Sequence, residues 1–450
     1  MRTSATIRLL TAVCTALLGS VMGSVSLPAQ AALTAAPTPG PAPALTQPAP
    51  DDKSGQAIFA AVKPSIVQIR TLVKGSQSQT SIGSGFYVSA DGLIITNFHV
   101  VSDYALEPDT YELKFAAPNG EAGDLKLLAV DVLHDLALVQ RQGSNLPWLR
   151  FNHAPIGKGT LGYALGNPGD LGLTIVGGTY NGLRDHSLYP FIHFTGAINA
   201  GMSGGPVVTE AQQVFGINEA RMIDDQLIAF LVPSHFAEEL LNRWRARPVA
   251  PASFEKEVTS QLNQHSDNLL SRLSRSPMPT QQVGHYLIPD QLDPYMRCWG
   301  GVDRDPKKFY QTDSYFCEGS SSVFVDDETE AGSAVFVNQI IHSSKLDPLR
   351  FSQLLADQFS PAQGDHGDAK RFSPYACQAS TVQLRGTPAR AAMCLRQYKL
   401  FPELYDFTLK LVTLKEGHRA LLSQLRLTGV KYRPGLAFIR QYMNAIQWKD

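Results

Sequence analysis

From Ser54 to Arg247 the apolar positions come in short runs: SIVQIRTLV, GSGFYVS, GLIITNFHV, YELKFAA, LKLLAVDV, DLALVQ, GYALG, LTIVGGTYNGL, PVVTE, QVFGINEARM and LIAFLV. Gly, Asn, Asp and Pro separate them, and that spacing predicts an all-β barrel or sandwich. PSHFAEELLNRWRARP closes the region as a helix, with Ser234 as its cap and Pro248 as its stop. Past this point the texture changes. SFEKEVTSQLNQHSDNLLSRL places Val258, Leu262, Leu269 and Leu273 on one helical face. SAVFVNQII and LYDFTLKLVTL alternate as strands do, whereas PLRFSQLLADQF, HRALLSQLRL and GLAFIRQYMNAIQW read as helices. The pattern therefore predicts a β-rich domain over residues 54–248 and a separate α+β domain over 249–450.

Two segments come first. In residues 1–31, Arg2 and Arg8 precede an apolar run from Leu9 to Val25, and LPAQA follows, which reads as a secretory signal peptide cleaved after Ala29-Gln30-Ala31. The run is short and broken by Ser and Gly, so no stable membrane anchor is expected. Residues 32–53, with APTPGPAPALTQPAP at their centre, form an Ala/Pro-rich extended tether. An exported chain, most simply a periplasmic one, meets oxidising conditions, and four cysteines remain after the leader: Cys298, Cys317, Cys377 and Cys394. Of the three possible pairings, short loops favour Cys298–Cys317 with Cys377–Cys394. No C-x-x-C spacing points to zinc. With 44% hydrophobic and 18% charged residues and a net charge of −1, the composition is that of a soluble globular protein and offers no basic surface for nucleic acid.

The candidate chemistry sits in residues 199–208, NAGMSGGPVV, where three glycines surround Ser203. A serine hydroxyl attacks only when a base takes its proton, and that base needs a third group to hold its tautomer. GLIITNFHVV puts His99 at the end of an apolar strand, and DVLHDLALVQ puts Asp135 at the start of a buried one. His134 is expected to point to the opposite face, and Asp131 to occupy a surface turn. His186, His193 and His235 have no metal-ligand spacing and read as structural.

GSGFYVSADGLIITNFHVV, HDLALV, YALGNPGDLGLTIVGG, GAINAGMSGGPVV, VFGINEA and IAFLVPS occur in that order over about residues 63–240. Together they resemble the HtrA/Deg branch of the chymotrypsin-like serine proteases. The resemblance implies two six-stranded β-barrels, with His99 as base, Asp135 as its orienting acid, Ser203 as nucleophile, and the N–H groups of Gly201 and Ser203 as the oxyanion hole. It implies a substrate pocket lined by Ala197 and Ile198, with Gly216 and Ile217 of VFGINEA. Since Ala197 is neutral, small or medium apolar residues are expected before the cut. Met202 stands where the family has Asp or Asn. Residues 249–450 lack the carboxylate-binding loop of the PDZ domains that usually follow the protease. The expected function is an exported serine endopeptidase acting on protein or peptide substrates without a cofactor. The alternative is a binding protein that kept the protease fold and lost turnover.

Overall fold

Helix α1 (Asp52–Val62) leads into the first sheet of the computed structural model, which describes residues 52–219, 228–321, 323–326, 329–359 and 369–449. The expected signal peptide and all but the end of the tether lie outside these residues. The first sheet contains β1 (Ile66–Val73), β2 (Gln79–Tyr87), β3 (Leu93–Thr96), β4 (Tyr111–Ala116), β5 (Ala122–Asp124), β6 (Lys126–Asp131) and β7 (Leu136–Gln140), in the order β5-β4-β1-β2-β3-β7-β6. Helix α2 (Phe98–Leu106) follows β3. The second sheet is a closed six-stranded barrel made of β8 (Leu161–Gly166), β9 (Thr174–Leu183), β10 (Ile192–Thr195), β11 (Pro206–Val208), β12 (Val214–Glu219) and β13 (Ala229–Pro233). A closed barrel beside the open, seven-stranded half-barrel fits the double-barrel architecture expected for a chymotrypsin-like chain. Its first half carries a seventh, three-residue edge strand, β5.

Ile66, Phe86, Ile95 and Leu138 of the first sheet share one buried cluster with Leu165, Val208, Ile217 and Val232 of the barrel. Burying such side chains contributes about 1.5–3 kcal/mol each, so this shared core fixes the two sheets against each other. Helix α3 (Ser234–Ala246) adds Ala237, Leu240 and Leu241 to it. Ser234 is not the cap. It is the first helical residue, Pro233 occupies the cap position, and no side chain caps the helix.

Helix α4 (Phe254–Leu273) starts from Ser253, whose hydroxyl accepts from Lys256 N as an N-cap should. Its predicted apolar face is buried in two places. Val258 and Leu262 pack with Val101, Ala105 and Val130 of the first sheet region, whereas Leu269 and Leu273 join the core of the C-terminal region. That region contains β14 (Thr280–Val283), β15 (Tyr286–Pro289), β16 (Arg297–Asp303), β17 (Gln311–Gly319), β18 (Val323–Phe324), β19 (Glu330–Ala331), β20 (Ser333–His342), α5 (Pro348–Phe359), β21 (Ala376–Leu384), β22 (Thr387–Gln397), β23 (Leu404–Thr413), β24 (Arg419–Lys431), α6 (Tyr432–Ala445) and β25 (Gln447–Trp448). Its main sheet is antiparallel with seven strands in the order β16-β17-β20-β24-β23-β22-β21, and α4 and α6 pack on β24.

The segment HRALLSQLRL, expected to be helical, is instead part of β24. Its Leu, Arg and Gln are good helix formers, but the strand pairs with β20 on one side and β23 on the other and is buried along most of its length. Tertiary pairing overrides local propensity there. Both disulfides form as the short loops suggested. Cys298 lies directly opposite Cys317 in the β16–β17 pair, and Cys377 opposite Cys394 in β21–β22. Each bridge therefore ties an edge strand of the main sheet to its neighbour, where an unpaired edge is otherwise a liability.

Candidate active site

Strand β3 is buried along its whole length and pairs with β7, Thr96 facing Ala137, which brings the chain after β3 beside the chain before β7. Phe98 N and Asn97 Nδ2 both donate to the Asp135 carbonyl, at 3.1 and 2.8 Å. The Asp135 side chain takes two further bonds. His99 N donates to Oδ1 at 2.9 Å, and His99 Nδ1 lies 2.6 Å from Oδ2. His99 thus sits in the first turn of α2 rather than on the strand, and the carboxylate occupies the N-terminus of that helix. Unsatisfied N–H groups and the helix dipole favour an anion at such an end. Asp135 has φ +51°, a left-handed conformation that costs about 1 kcal/mol or more in a non-glycine residue and persists only where surroundings over-determine it. The carbonyl and carboxylate bonds do so here.

Ser203 is buried on the loop between β10 and β11. Its carbonyl accepts from Ser84 N at 2.7 Å, so the serine loop of the barrel is bonded to β2 of the first sheet. The Ser84 hydroxyl continues the link by donating to Gly201 O at 2.8 Å and accepting from Asn167 N at 2.9 Å, while Thr96 Oγ1 donates to Ser84 O. Asn218 holds the loop from the other side, its Nδ2 donating to Met202 O at 3.1 Å and Leu165 O at 2.9 Å. Gly201 has φ +90° and Gly204 +82°. A Cβ at Gly204 would collide with Ser84 O and Thr96 Oγ1, and one at Gly205 with Leu165 O. The glycines are therefore required by the close approach of the protein's own strands. Met202 is fully buried with Ile198 and Phe194 in the barrel, where it packs on Gly166.

The remaining candidates divide. His134 is turned from the His99–Asp135 pair: its Nδ1 lies 3.0 Å from Asp131 Oδ1, and its ring stacks on Phe236 with centroids 3.7 Å apart. Asp131 is not a surface turn residue. It is buried, and it also accepts from Arg243 Nη2 at 2.8 Å. Burial works against its carboxylate, but the bonds from His134 and Arg243 outweigh that and hold it below the usual range. Of the pocket candidates, Ala197 is exposed, Ile198 and Ile217 are packed inside, and Gly216 faces Leu231. Sequence reasoning did not single out Ser84, Asn218 or Glu219. The glycines flanking Ser84 are the signal that could have found it, because they mark a strand that another segment approaches closely. Among the described residues, His99, Asp135 and Glu219 form a group with one potential metal-ligating atom from each within 4.8 Å of the others. His99 Nδ1 is committed to Asp135.

Residues 83–217 match the family model described as "Trypsin-like peptidase domain". This part of the chain carries the chymotrypsin-like fold and is similar to serine proteases of the HtrA type. The chain is 31% identical over 209 residues to the human "Serine protease HTRA3", covering 41% of this chain and 46% of that one. It is 32% identical over 170 residues to the "Probable periplasmic serine endoprotease DegP-like" of Chlamydia muridarum, covering 36% and 33% respectively. The chain thus spans less than half the length of these curated relatives. Among solved structures, a serine endoprotease from Yersinia pestis aligns with 25% identity over 43% of this chain and 67% of its own, at a TM-score of 0.38.

Proposed function

We propose that the chain is an exported serine endopeptidase in which Ser203, His99 and Asp135 act as one unit. The observation that carries this reading is the His99–Asp135 pair. With Nδ1 held at 2.6 Å from Oδ2, the imidazole keeps Nε2 as the basic nitrogen. In the proposed sequence the Ser203 hydroxyl attacks the scissile carbonyl as His99 Nε2 takes its proton, and the Gly201 and Ser203 N–H groups stabilise the oxyanion. His99 then protonates the leaving amine as the peptide bond breaks. Water, deprotonated by the same nitrogen, then attacks the acyl-enzyme; the bond between Ser203 Oγ and the acyl carbon breaks, the acid is released, and His99 returns the proton to Ser203 Oγ. The Asp135 carboxylate stabilises the imidazolium throughout.

The substrates are unfolded or exposed segments of envelope or extracellular proteins. The leader expected at residues 1–31 supports export, which accords with the periplasmic name carried by the Chlamydia relative. The exposed, neutral Ala197 favours small or medium apolar residues before the cut. Residues 249–450 act as a distinct recognition or support domain behind the peptidase. Fluorophosphonate labelling tests the reading. The wild type is expected to label and Ser203→Ala to remain unlabelled, whereas equal labelling of both would favour the binding-protein alternative.

A further inference from the structure

Glu219 is the last residue of β12, opposite Phe230 of β13, and is buried although it ends the strand. It follows Asn218, the residue that braces the serine loop, and one of its carboxylate oxygens lies within 4.8 Å of both an imidazole nitrogen of His99 and a carboxylate oxygen of Asp135. The site described above has no task for it. A buried acid so close to a His–Asp pair nevertheless alters what the imidazole does. A second negative charge favours the imidazolium, and limited contact with solvent leaves that attraction poorly screened.

We propose that Glu219 is a positioning residue of the site, a second ionised carboxylate that keeps the His99 imidazole protonated further into the neutral range than Asp135 alone would. The inference deepens the endopeptidase reading, because a base that holds its proton to higher pH moves the acid limb of hydrolysis upward. On Glu219's own side, the Arg184 guanidinium lies over the ring of Phe230, the residue opposite Glu219, and His193 meets the same ring. Around α2, several charges are engaged elsewhere. On β1, Arg70 donates to Gln68. On β4, Lys114 bridges Glu112 and Asp124. Asp131, at the end of β6, is held by His134 and Arg243. On α4, Glu257 accepts from Gln261 and His265 meets Tyr189. The remaining acids of α2 and its C-cap, Asp103 and Glu107, lie one turn or more beyond His99, and β2 and β7 carry no acid or base other than Tyr87. Arg221 follows Glu219 two places on in the sequence, outside the described residues.

The competing state is a protonated Glu219 bonded to Asp135. It carries no charge, and glutamine reproduces it in size and polarity. Titration of the imidazole separates the two. In the full chain bearing Ser203→Ala, with labelled histidine, the His99 resonance is assigned among the 11 histidines by its loss in His99→Gln, then followed by NMR across pH. Glu219→Gln and Glu219→Thr are expected to lower its midpoint by about one pH unit. Glu219→Asp, which keeps the charge, is expected to retain the wild-type midpoint. An unchanged midpoint in the neutral variants, or an equal fall in all three, overturns the inference. This measurement does not depend on turnover, so its failure is distinct from a failure of Ser203 to label.

Discussion

Around His99 and Ser203, buried polar groups are held by backbone in unusual conformations. Asp135, Gly201 and Gly204 all have positive φ, and main-chain N–H groups of α2 and β2 supply the key bonds. The C-terminal sheet handles burial differently. β20 and β24 pair over ten consecutive positions, and the buried acids are each paired with an arginine as well as a main-chain N–H. Asp406, at the bulge in β23, accepts from Arg396 Nε at 2.7 Å, Tyr398 Oη at 2.8 Å and Gly429 N at 2.9 Å. Asp293 is held by Arg272 and Arg275. One half holds a non-glycine residue, Asp135, in a left-handed conformation where chemistry is proposed, and the other is a stapled scaffold of long paired strands. Substitutions in the first should therefore cost activity more than stability, and those in the second the reverse.

The sharpest way to break that comparison is Asp135→Asn. It preserves shape but no longer fixes the imidazole tautomer, so kcat for peptide hydrolysis should fall by about 10⁴-fold while the denaturation midpoint barely moves. A large loss of stability would show that this residue belongs to the scaffold. The converse test is Asp406→Ala, which strands the buried Arg396 guanidinium. Chemical denaturation should show a loss of about 3–5 kcal/mol, with the labelling rate of the folded fraction unchanged.

The two halves were not equally legible in the sequence. The candidate serine, histidine and aspartate could be picked out because each lies in a short block whose local requirements, such as a glycine bend or a strand end, are written in neighbouring residues. The apolar face of α4 was legible for the same reason. What failed depended on distant partners. Asp131 read as a surface turn because Arg243, the cation that accompanies its burial, is 112 residues away. HRALLSQLRL read as a helix because nothing local shows that β20 and β23 flank it. Glu219 drew no notice, since its nearness to His99 exists only once the barrel is folded on the first sheet.

Smaller effects probe the seam between the halves. His265 on α4 is fully buried, with Tyr189 Oη 2.8 Å from its Nδ1, and burial pushes its pKa down to about 4. An unfolded histidine titrates near 6.5, so the unfolded chain binds the extra proton between those values. Stability should therefore fall as pH drops from 6.5 to 4, by up to about 3 kcal/mol, with no contribution from this group above 6.5. His265→Gln should flatten that part of a stability–pH curve, and an equal slope in the variant would discount the assignment. The smallest expected effect belongs to Gln261. Its amide donates to Val130 O at 3.1 Å and accepts from Val132 N at 2.8 Å, three residues before Asp135. Gln261→Ala should cost about 1–2 kcal/mol in stability. It should also lower kcat slightly, since α4 supports the segment that carries the aspartate. Loss of stability with no change in kcat would keep the two halves energetically independent.

The central claim is that three residues far apart in the chain work as a single catalytic unit. Its most direct test is kcat/KM for peptide hydrolysis in Ser203→Ala, His99→Ala and the double variant. Each single change should remove about 10⁶-fold, and the double variant should be no slower than either. Losses that multiply in the double variant would contradict the account, because they would mean that serine and histidine contribute separately.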